Sequence, residues 1–327
     1  MTQSSHGTPR SRRSARRVGI SLGAVFGVIV LAGLIVLVPV TRATAPAARA
    51  CLTVPALATP GTSPAQQELR EYEPELRLNS SERELPVTFS ALADLPGAAL
   101  RRADGRVIAG GGQRWSRLRF LGAGKYADGE PVLSRDHITV SPDWGAWVSL
   151  LANQCDFGGD VTYARFLPGS HGYSYLEYGY FWLFNESVPE DPGSWLASFK
   201  HHEGDIKWVI VRIYHGVPDA VLGSVHTGNK VDRWDAVQKD GTHPVVFPSW
   251  GTHEILFTPS MNWALYQGGA LPDITDGKGL RLLPTMVNVG NAVQDHYGWW
   301  LWRGAWGSIP ALWTRPVWNN PAGFFPK

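Results

Sequence analysis

Acidic residues are missing from the first 50 positions of this chain, which hold seven arginines and no aspartate or glutamate. The remaining residues carry 23 basic and 28 acidic side chains, a net charge of −5. The basic charge of the sequence therefore belongs to the N-terminal tail. Because the rest of the chain lacks a basic excess, we expect no binding to nucleic acid.

Common catalytic motifs are also missing. The sequence has no Gly-x-Ser-x-Gly, no His-Glu-x-x-His and no phosphate-binding loop, so it gives no sign of the nucleophile elbow, the zinc protease helix or the P-loop. This absence favours a binding protein over an enzyme. A metal-assisted hydrolase would need none of these motifs, and it stays an alternative.

Charged residues are absent from a 23-residue stretch that runs from Val18 to Val40. A helix needs about 20 apolar residues to cross a bilayer. Five arginines precede it in residues 1–17, which predicts a basic cytoplasmic tail and an extracytoplasmic C-terminal part. We interpret residues 18–40 as an uncleaved signal anchor in the plasma membrane. A cleaved signal is the alternative, because Ala48-Arg49-Ala50 resembles a cleavage site.

Gly19, Gly23 and Gly27 recur at every fourth position of the predicted span. Such spacing lets two membrane helices approach closely and predicts a homodimer, although glycine is common in membrane helices generally. The arginines of the tail are expected to contact anionic membrane lipids.

Cysteine is nearly absent, since the chain has only Cys51 and Cys155. Outside the membrane the compartment permits oxidation, so a disulfide between them is one expectation. The other is a buried free Cys155 with Cys51 left in a processed or frayed segment.

The distribution of residue types divides the extracytoplasmic part in two. Residues 41–84 are rich in Ala, Pro and Thr and then in charge, which predicts a solvated tether or stalk with a short helix capped by Ser63 and interrupted at Pro74. From residue 85 to 327, short β-rich runs alternate with turn residues. We therefore expect a mainly β fold there, an antiparallel β-sandwich with long loops, preceded by one transmembrane helix.

Tryptophan is abundant but confined to part of the chain. All 15 tryptophans lie between Trp115 and Trp318. Most are expected in the core, and the others on a surface that binds sugars or the membrane. Trp299 and Trp300 are adjacent, so in a strand one of them would face outwards.

Titratable residues crowd at the start of the segment KHHEGDIKWVIVRI, which begins at residue 200. His202, Glu203 and Asp205 precede an apolar run in which both faces look buried, as in a central strand. Imidazole and carboxylate groups together suit a divalent cation. His226 and His253 also follow apolar segments, so we expect them at the same rim of the sheet, where its strands begin or end.

A series of segments resembles the vacuolar protein sorting-associated protein 62 family. In order, these are YGYFWLFNE, HHEGDIKWVIVRI, VLGSVH, GTHPVVFPSWGTHE, PDITDGKG and WRGAWGSIPALWTRPVW, within residues 170–327. That family is in turn similar to the necrosis-inducing toxins. Those toxins have a β-sandwich fold, hold a divalent cation through a His-Asp-Trp-Glu motif and act on sphingolipid head groups.

The resemblance implies a set of ligand-binding residues in this chain, namely His202, Glu203, Asp205, His226, His253, Asp273 and Asp276. It implies that four of them, His202, Asp205, His226 and His253, hold a cation such as Mg²⁺, Ca²⁺, Mn²⁺ or Zn²⁺.

The chain departs from the pattern where the family has Trp-Glu, because Ile206-Lys207 stands there. Lys207 either repels a bound cation or replaces it by an internal salt bridge with Asp205 or Glu203. For Asp273 and Asp276, the alternative to ligand binding is an ordinary Asp-Gly surface turn.

Taken together, the sequence predicts a single-pass membrane protein whose outer domain binds a lipid head group or a glycan at the cell surface. The binding site would be an exposed rim formed by the histidines and aspartates with nearby tryptophans. A metal-dependent hydrolase of lipid or cell-wall material and a structural, oligomerising surface protein are the two alternatives.

Overall fold

The structure, a computed structural model, covers a defined set of residues. It describes 48–49, 51, 63–89, 98–110, 125–126, 128, 130–131, 133, 136–139, 154–156, 159–185, 202–225, 228–266, 269–290, 297–302, 304–306 and 321–325. The chain divides into two units, Met1–Thr44 and Ala45–Lys327, and all the described residues belong to the second. Within them, no helix is both long and apolar enough to cross a membrane. The predicted span 18–40, with Gly19, Gly23 and Gly27, lies outside the described residues.

The described elements are mostly short strands. They are α1 (Pro64–Glu71), β1 (Glu75–Arg77), β2 (Ala99–Arg101), β3 (Val107–Gly110), β4 (His137–Thr139), β5 (Val161–Pro168), β6 (Tyr173–Asn185), β7 (His202–Tyr214), β8 (Val217–Val225), β9 (Gly228–Arg233), β10 (Lys239–Asp240), β11 (His243–Pro248), β12 (Ile255–Leu256), β13 (Ser260–Tyr266), β14 (Gly269–Thr275), β15 (Arg281–Leu282), β16 (Thr285–Asn288) and β17 (Ala305–Trp306). Short 3₁₀ helices span Trp234–Ala236, Gly298–Leu301 and Pro321–Phe324. The prediction of a mainly β fold is confirmed.

A six-stranded sheet forms the centre, in the order β16-β5-β6-β7-β8-β9. Its pairs are antiparallel except for β16 with β5. The strands β6 and β7 are the longest, with 13 residues each. A second sheet has the order β10-β11-β1-β15, with β12 paired to β11, and a third has the order β17-β4-β2-β3.

Both faces of the central sheet are covered, which gives a sandwich-like arrangement. The first face packs with the third sheet and the 3₁₀ helix Gly298–Leu301, through Trp208, Ile210 and Leu222 on one side and Leu100, Ala109 and Trp299 on the other. The second face packs with α1 and the second sheet, through Tyr178, Trp182 and Val211 on one side and Leu69, Leu76, Val246 and Leu282 on the other. β7 therefore is a central strand that is buried on both sides, as its apolar sequence predicts.

The adjacent tryptophans Trp299 and Trp300 are both fully buried. The expectation that one of them faces outwards is wrong, because the segment forms a 3₁₀ helix rather than a strand. With three residues per turn, neighbouring side chains in such a helix lie about 120° apart, so both can enter one core.

Residues 63–84 belong to the globular unit and do not form the solvated stalk that the sequence predicts. β1 pairs in parallel with β11 and antiparallel with β15. The charged residues of this segment suggest exposure to solvent, but Glu75 is paired with arginines inside the folded unit. The buried Glu75 accepts a hydrogen bond of 2.8 Å from Arg77 Nε and one of 2.7 Å from Arg281 Nε. The predicted helix cap is confirmed, since Ser63 and Gln66 form a reciprocal capping box.

Cys51 and Cys155 form a disulfide with a Cα–Cα distance of 5.4 Å, which confirms the first of the two expectations for these cysteines. The two residues are 104 positions apart. In the chain-entropy model, closing a loop of about 100 residues stabilises a domain by up to ~4–5 kcal/mol. Both cysteines pack against the core on the second face of the central sheet. The bond therefore fixes the start of the unit to that core.

Glu73 is a buried acid between α1 and the central sheet. Its Oε1 atom has no hydrogen-bond partner among the described residues. Burial raises the pKa of Glu73 to about 8, although the charge of Arg70 opposes the shift. The neutral carboxyl group is therefore the form that the folded protein holds at neutral pH.

Replacing this acid by its neutral isostere, Glu73→Gln, is expected to stabilise the protein above pH 5. In the folded protein the pKa of this carboxyl is about 8, above its ordinary value of 4.5. Between these pH values the native state therefore binds more protons than the unfolded state. Stability must then fall as pH rises through that window, by about 1.4 kcal/mol for each pH unit at most. Urea unfolding at pH 5 and pH 8 measures the difference between variant and wild type.

The control for this experiment is Glu130→Gln, which changes an exposed carboxyl. The gain for Glu73→Gln should grow with pH, and the control should show no such growth. A gain that is equal at both pH values would contradict the assignment of a neutral buried carboxyl.

Candidate functional site

A strained turn follows β11 at one end of the second sheet. We call residues 249–254 the 249–254 turn. Backbone hydrogen bonds close it, from Ser249 N to Glu254 O (3.0 Å) and from His253 N to Ser249 O (2.9 Å). The Ser249 hydroxyl accepts a further bond of 2.8 Å from Glu254 N. Gly251 and His253 both have positive φ, +68° and +53°, and for His253 this left-handed conformation is uncommon.

The imidazole of His253 is completely buried and held on three sides. It stacks on Trp182 with ring centroids 4.5 Å apart and planes inclined by 5°. Its Nδ1 lies 3.1 Å from Asp205 Oδ2, and its Nε2 lies 3.7 Å from Glu82 Oε2. Two carboxylates thus face the two nitrogens of one ring, an arrangement that favours the protonated imidazolium.

Lys207 carries the second cation of the cluster. Its side chain is buried, and its Nζ lies 2.6 Å from Glu254 Oε1 and 3.2 Å from Asp205 Oδ1. The salt bridge with Asp205 is one of the two alternatives that the sequence left open for Lys207. The pairing with Glu254 adds a link between β7 and the 249–254 turn.

The electrostatics of these residues follow from burial and close opposite charges. Burial by itself lowers the pKa of His253, but Glu82 and Asp205 outweigh it and raise the value to about 10. Burial likewise acts against the charge of Lys207, and Asp205 and Glu254 nevertheless raise its pKa above the ordinary value. Both side chains are therefore charged at neutral pH.

Glu82 anchors the cluster to the segment before β2. Burial raises the pKa of Glu82, but the charge of His253 and the backbone donors outweigh this and leave it below the ordinary value. Those donors are Glu84 N, at 3.0 Å from Oε1, and Gly251 N, at 3.0 Å from Oε2. Arg83 N also donates to Oε1, at 2.8 Å. Glu82 is therefore a buried carboxylate that joins the 249–254 turn to the first part of the unit.

The end of β6 adds an amide to the cluster. Asn185 donates from Nδ2 to Asp205 Oδ2 (3.1 Å) and to Thr252 O (3.4 Å). Its Oδ1 is buried without a hydrogen-bond partner among the described residues. Thr252 in turn donates a bond of 2.8 Å from Oγ1 to Asp273 Oδ1, so Asp273 of β14 is linked to the same network.

We call Glu82, Asp205, Lys207, His253 and Glu254 the charge cluster. All five side chains are at most one-tenth exposed. The cluster holds three acidic and two basic side chains. Removing charges from water is costly unless each is paired, and here pairing is provided by residues from β7, the turn and the segment before β2.

The structure brings together some of the predicted site residues. Asp205 and His253 are in contact, and Asp273 reaches them through Thr252. Asp276 lies apart and accepts hydrogen bonds from Ser80 N and Lys278 N, at 2.8 and 3.0 Å. This is the surface turn that formed the alternative for Asp276.

The remaining predicted residues are outside what the structure describes. His202 and Glu203 lie on β7, but nothing is described of their side chains, and the whole of His226 falls outside the described residues. Among the described residues, no group of three or more His, Cys, Asp or Glu side chains has the arrangement of a metal site.

Of the four metal ligands predicted at the rim, the structure describes the side chains of Asp205 and His253, and both are buried. Asp205 is 2 % exposed and His253 is 0 % exposed, because the second sheet and the 249–254 turn cover this end of β7.

The sequence reasoning missed Glu82, Asn185 and Glu254. Glu82 was assigned to the stalk, and Glu254 follows His253 with nothing in its neighbours to distinguish it from a surface acid. Only Asn185 has a sequence signal, since it ends the aromatic run of β6. In the structure it lies directly opposite His202 of β7. The partners that join Glu82 to the turn, Gly251 and His253, lie about 170 positions away along the chain, so no short-range pattern can reveal them.

No family model and no curated protein matches this chain, so the resemblance to the vacuolar protein sorting-associated protein 62 family stays a prediction. Its structural neighbours are necrosis-inducing toxins. The chain is similar to Necrosis and Ethylene inducing Protein 2 from the causal agent of cocoa's Witches Broom disease, with 15% identity, 77% of this chain and 85% of the other covered and a TM-score of 0.35.

Two further neighbours give similar values. NLPPya in complex with glucosamine has 16% identity, covers 69% of this chain and 82% of its own, and has a TM-score of 0.35. A structure described as a toxin fold for microbial attack and plant defense has 16% identity, with 76% and 87% covered and a TM-score of 0.36. Because the identities and TM-scores are this low, the fold is assigned from the strands and sheets of this chain itself. The neighbours do not define its function.

Proposed function

We propose that the unit 45–327 binds a glycan or a lipid head group outside the cell, on the surface above the charge cluster. Residues 18–40 would anchor the chain in the plasma membrane, with residues 1–17 in the cytoplasm. The uncharged length of the span and the arginines before it support this topology. The disulfide between Cys51 and Cys155 is in keeping with an oxidising compartment.

The observation that carries the binding proposal is that the 249–254 turn costs the fold free energy. His253 has a positive φ, and the cluster beneath the turn buries five charged groups. Both features reduce stability unless many contacts fix them, and strained residues held in this way concentrate at ligand-binding and catalytic sites. A turn that served only to connect two strands would need neither feature.

Trp250 is the side chain of this turn that is best placed to contact a ligand. It is partly exposed, and its backbone N–H donates a 2.8 Å bond to Ile274 O, which fixes its position. A rigid aromatic ring provides a large apolar contact area, and because the Nε1 atom of Trp250 is buried, the contact would be made by the apolar part of the ring.

Binding to amino sugars and to membranes tests the proposal. Glucosamine, found in one neighbouring structure, and mannosamine, found in another, are the first probes. Saturation-transfer NMR on the full chain in detergent detects weak sugar binding. Co-sedimentation with phosphatidylcholine vesicles, with and without a glycosylceramide, tests a lipid head group. We expect Trp250→Ala to weaken binding at least tenfold.

The matched control is Trp234→Ala, which removes another partly exposed tryptophan, one that packs edge-on against Tyr72. This variant should bind as the wild type does. If the wild type binds none of these probes, or if both variants lose binding equally, the proposed site is wrong.

A further inference from the structure

We propose that Lys207 takes the place of a divalent cation in the charge cluster, so that the cluster is complete without a metal ion. The resemblance described above implies a cation at this place in the fold, and the described side chains, those of Asp205, Lys207 and His253, do not fit one. This inference does not depend on which ligand the protein binds.

The ammonium group of Lys207 bridges two carboxylates from separate segments, as a metal ion would. Its Nζ is 3.2 Å from Asp205 Oδ1 on β7 and 2.6 Å from Glu254 Oε1 in the 249–254 turn. An ammonium has three donors and no lone pair, so it can bind carboxylates but cannot coordinate a metal.

Asp205, which was predicted to be a metal ligand, is already engaged through both oxygens. Oδ1 faces Lys207, while Oδ2 accepts bonds of 3.1 Å from both His253 Nδ1 and Asn185 Nδ2. Divalent cations bind carboxylate oxygens at about 2.0–2.6 Å. An ion at that distance from Oδ1 would lie beside the ammonium of Lys207 and be repelled by it.

His253, the second predicted ligand that the structure describes, is also unsuited to a metal. A histidine ligand must be neutral and must turn one nitrogen towards the metal. Here Nδ1 faces Asp205 and Nε2 faces Glu82, at 3.1 and 3.7 Å. Nε2 has no hydrogen-bond partner among the described residues, but the carboxylate that it faces, Glu82, already accepts backbone bonds at both oxygens.

The replacement also explains why this end of the domain can be buried. Three carboxylates converge on the cluster, and they would repel each other in a water-poor site without cations. Lys207 and His253 supply two positive charges from the chain itself. The link between β7 and the 249–254 turn therefore needs no ion from solution.

Thermal unfolding of the full chain tests this directly, in detergent with EDTA and then with Mg²⁺, Ca²⁺, Mn²⁺ or Zn²⁺ added. The wild type should have the same Tm in all of these conditions and less than one metal ion per chain by elemental analysis. A wild-type Tm that falls in EDTA and is restored by a divalent ion would overturn the proposal, as would one tightly held metal per chain that Asp205→Asn removes.

A charge-reversal variant provides the converse test. Lys207→Glu places a fourth carboxylate where the ammonium lies, so this variant should become cation-dependent. At a cation concentration 100 times Kd we expect its Tm to rise by roughly 5–10 °C. Lys230→Glu, at an exposed lysine 3.9 Å from Asp232, is the matched control and should show no rise.

The outcomes remain decisive if Lys207→Glu does not fold. The wild-type measurement in EDTA stands alone, and Lys207→Gln removes the positive charge without adding a carboxylate. A folded Lys207→Glu that no divalent ion stabilises would contradict the replacement. None of these measurements uses a sugar or a lipid, so failure here and failure of the proposed binding function can be told apart.

Discussion

Replacing Lys207 by methionine is expected to lower the free energy of unfolding by about 3–5 kcal/mol. The change keeps most of the side-chain volume but removes the ammonium that lies 3.2 Å from Asp205 and 2.6 Å from Glu254. Two buried carboxylates then lose a counter-ion, and that loss is far more costly than the loss of a surface ion pair. Urea unfolding at neutral pH, followed by tryptophan fluorescence, measures the effect.

Lys230→Met is the matched control for this substitution. The pair between Lys230 and Asp232 is exposed on both sides, with 3.9 Å between its charged atoms. Exposed pairs of this kind contribute about 0–1 kcal/mol. Similar losses at the two lysines would show that Lys207 has no special role in the fold.

Replacing His253 by phenylalanine is expected to cost about 3 kcal/mol or more at pH 6.5. Phenylalanine keeps a ring that can stack on Trp182, but it removes the positive charge between Asp205 and Glu82. The control is His215→Phe, because His215 also has a positive φ, +49°, and is exposed. The control reports the cost of phenylalanine in this backbone conformation.

The pH dependence identifies the charge of His253 as the cause. Its pKa is raised from 6.5 to about 10 in the folded protein. A base with a raised pKa contributes stability that is complete below pH 6.5 and is lost as pH rises towards 10, by at most about 1.4 kcal/mol for each unit. The difference between wild type and His253→Phe should therefore shrink from pH 6.5 to pH 9.5, and a constant difference would contradict a charged ring.

The central strands could be predicted from the sequence because their signals are local. The aromatic run predicted at 173–184 is β6, Tyr173–Asn185. The apolar run after Lys207 is the second half of β7, and it is buried on both faces because other elements pack on each face of the central sheet. The local patterns also predict a helix at 144–152 and a strand at 115–121, and both segments lie outside the described residues.

The elements that were missed depend on distant partners. β1 has only three residues, and it forms because β11, about 170 positions later, pairs with it in parallel. The alternation at 252–257 predicts a strand there, but only Ile255–Leu256 forms one, because His253 adopts a positive φ and the Ser249 hydroxyl bonds to the Glu254 backbone. Local patterns contain no information about such closures.

The candidate site shows the same division. Asp205 and His253 were found from their sequence settings, and the structure places them 3.1 Å apart. Their burial was not foreseen, because residues that precede an apolar strand usually lie at an open edge of a sheet. Here Glu82, from a segment assigned to the stalk, closes that edge and pairs with His253. Tertiary contact therefore converts a predicted rim into a buried support for the turn above it.

A double-mutant cycle on Lys207 and Glu254 tests most directly whether the buried charges compensate one another. The cycle compares the free energies of unfolding of the wild type, Lys207→Met, Glu254→Gln and the double variant. We predict a coupling energy of about 2 kcal/mol or more, because the two groups form a buried pair of 2.6 Å. A coupling energy below about 0.5 kcal/mol, as for distant independent sites, would contradict the account.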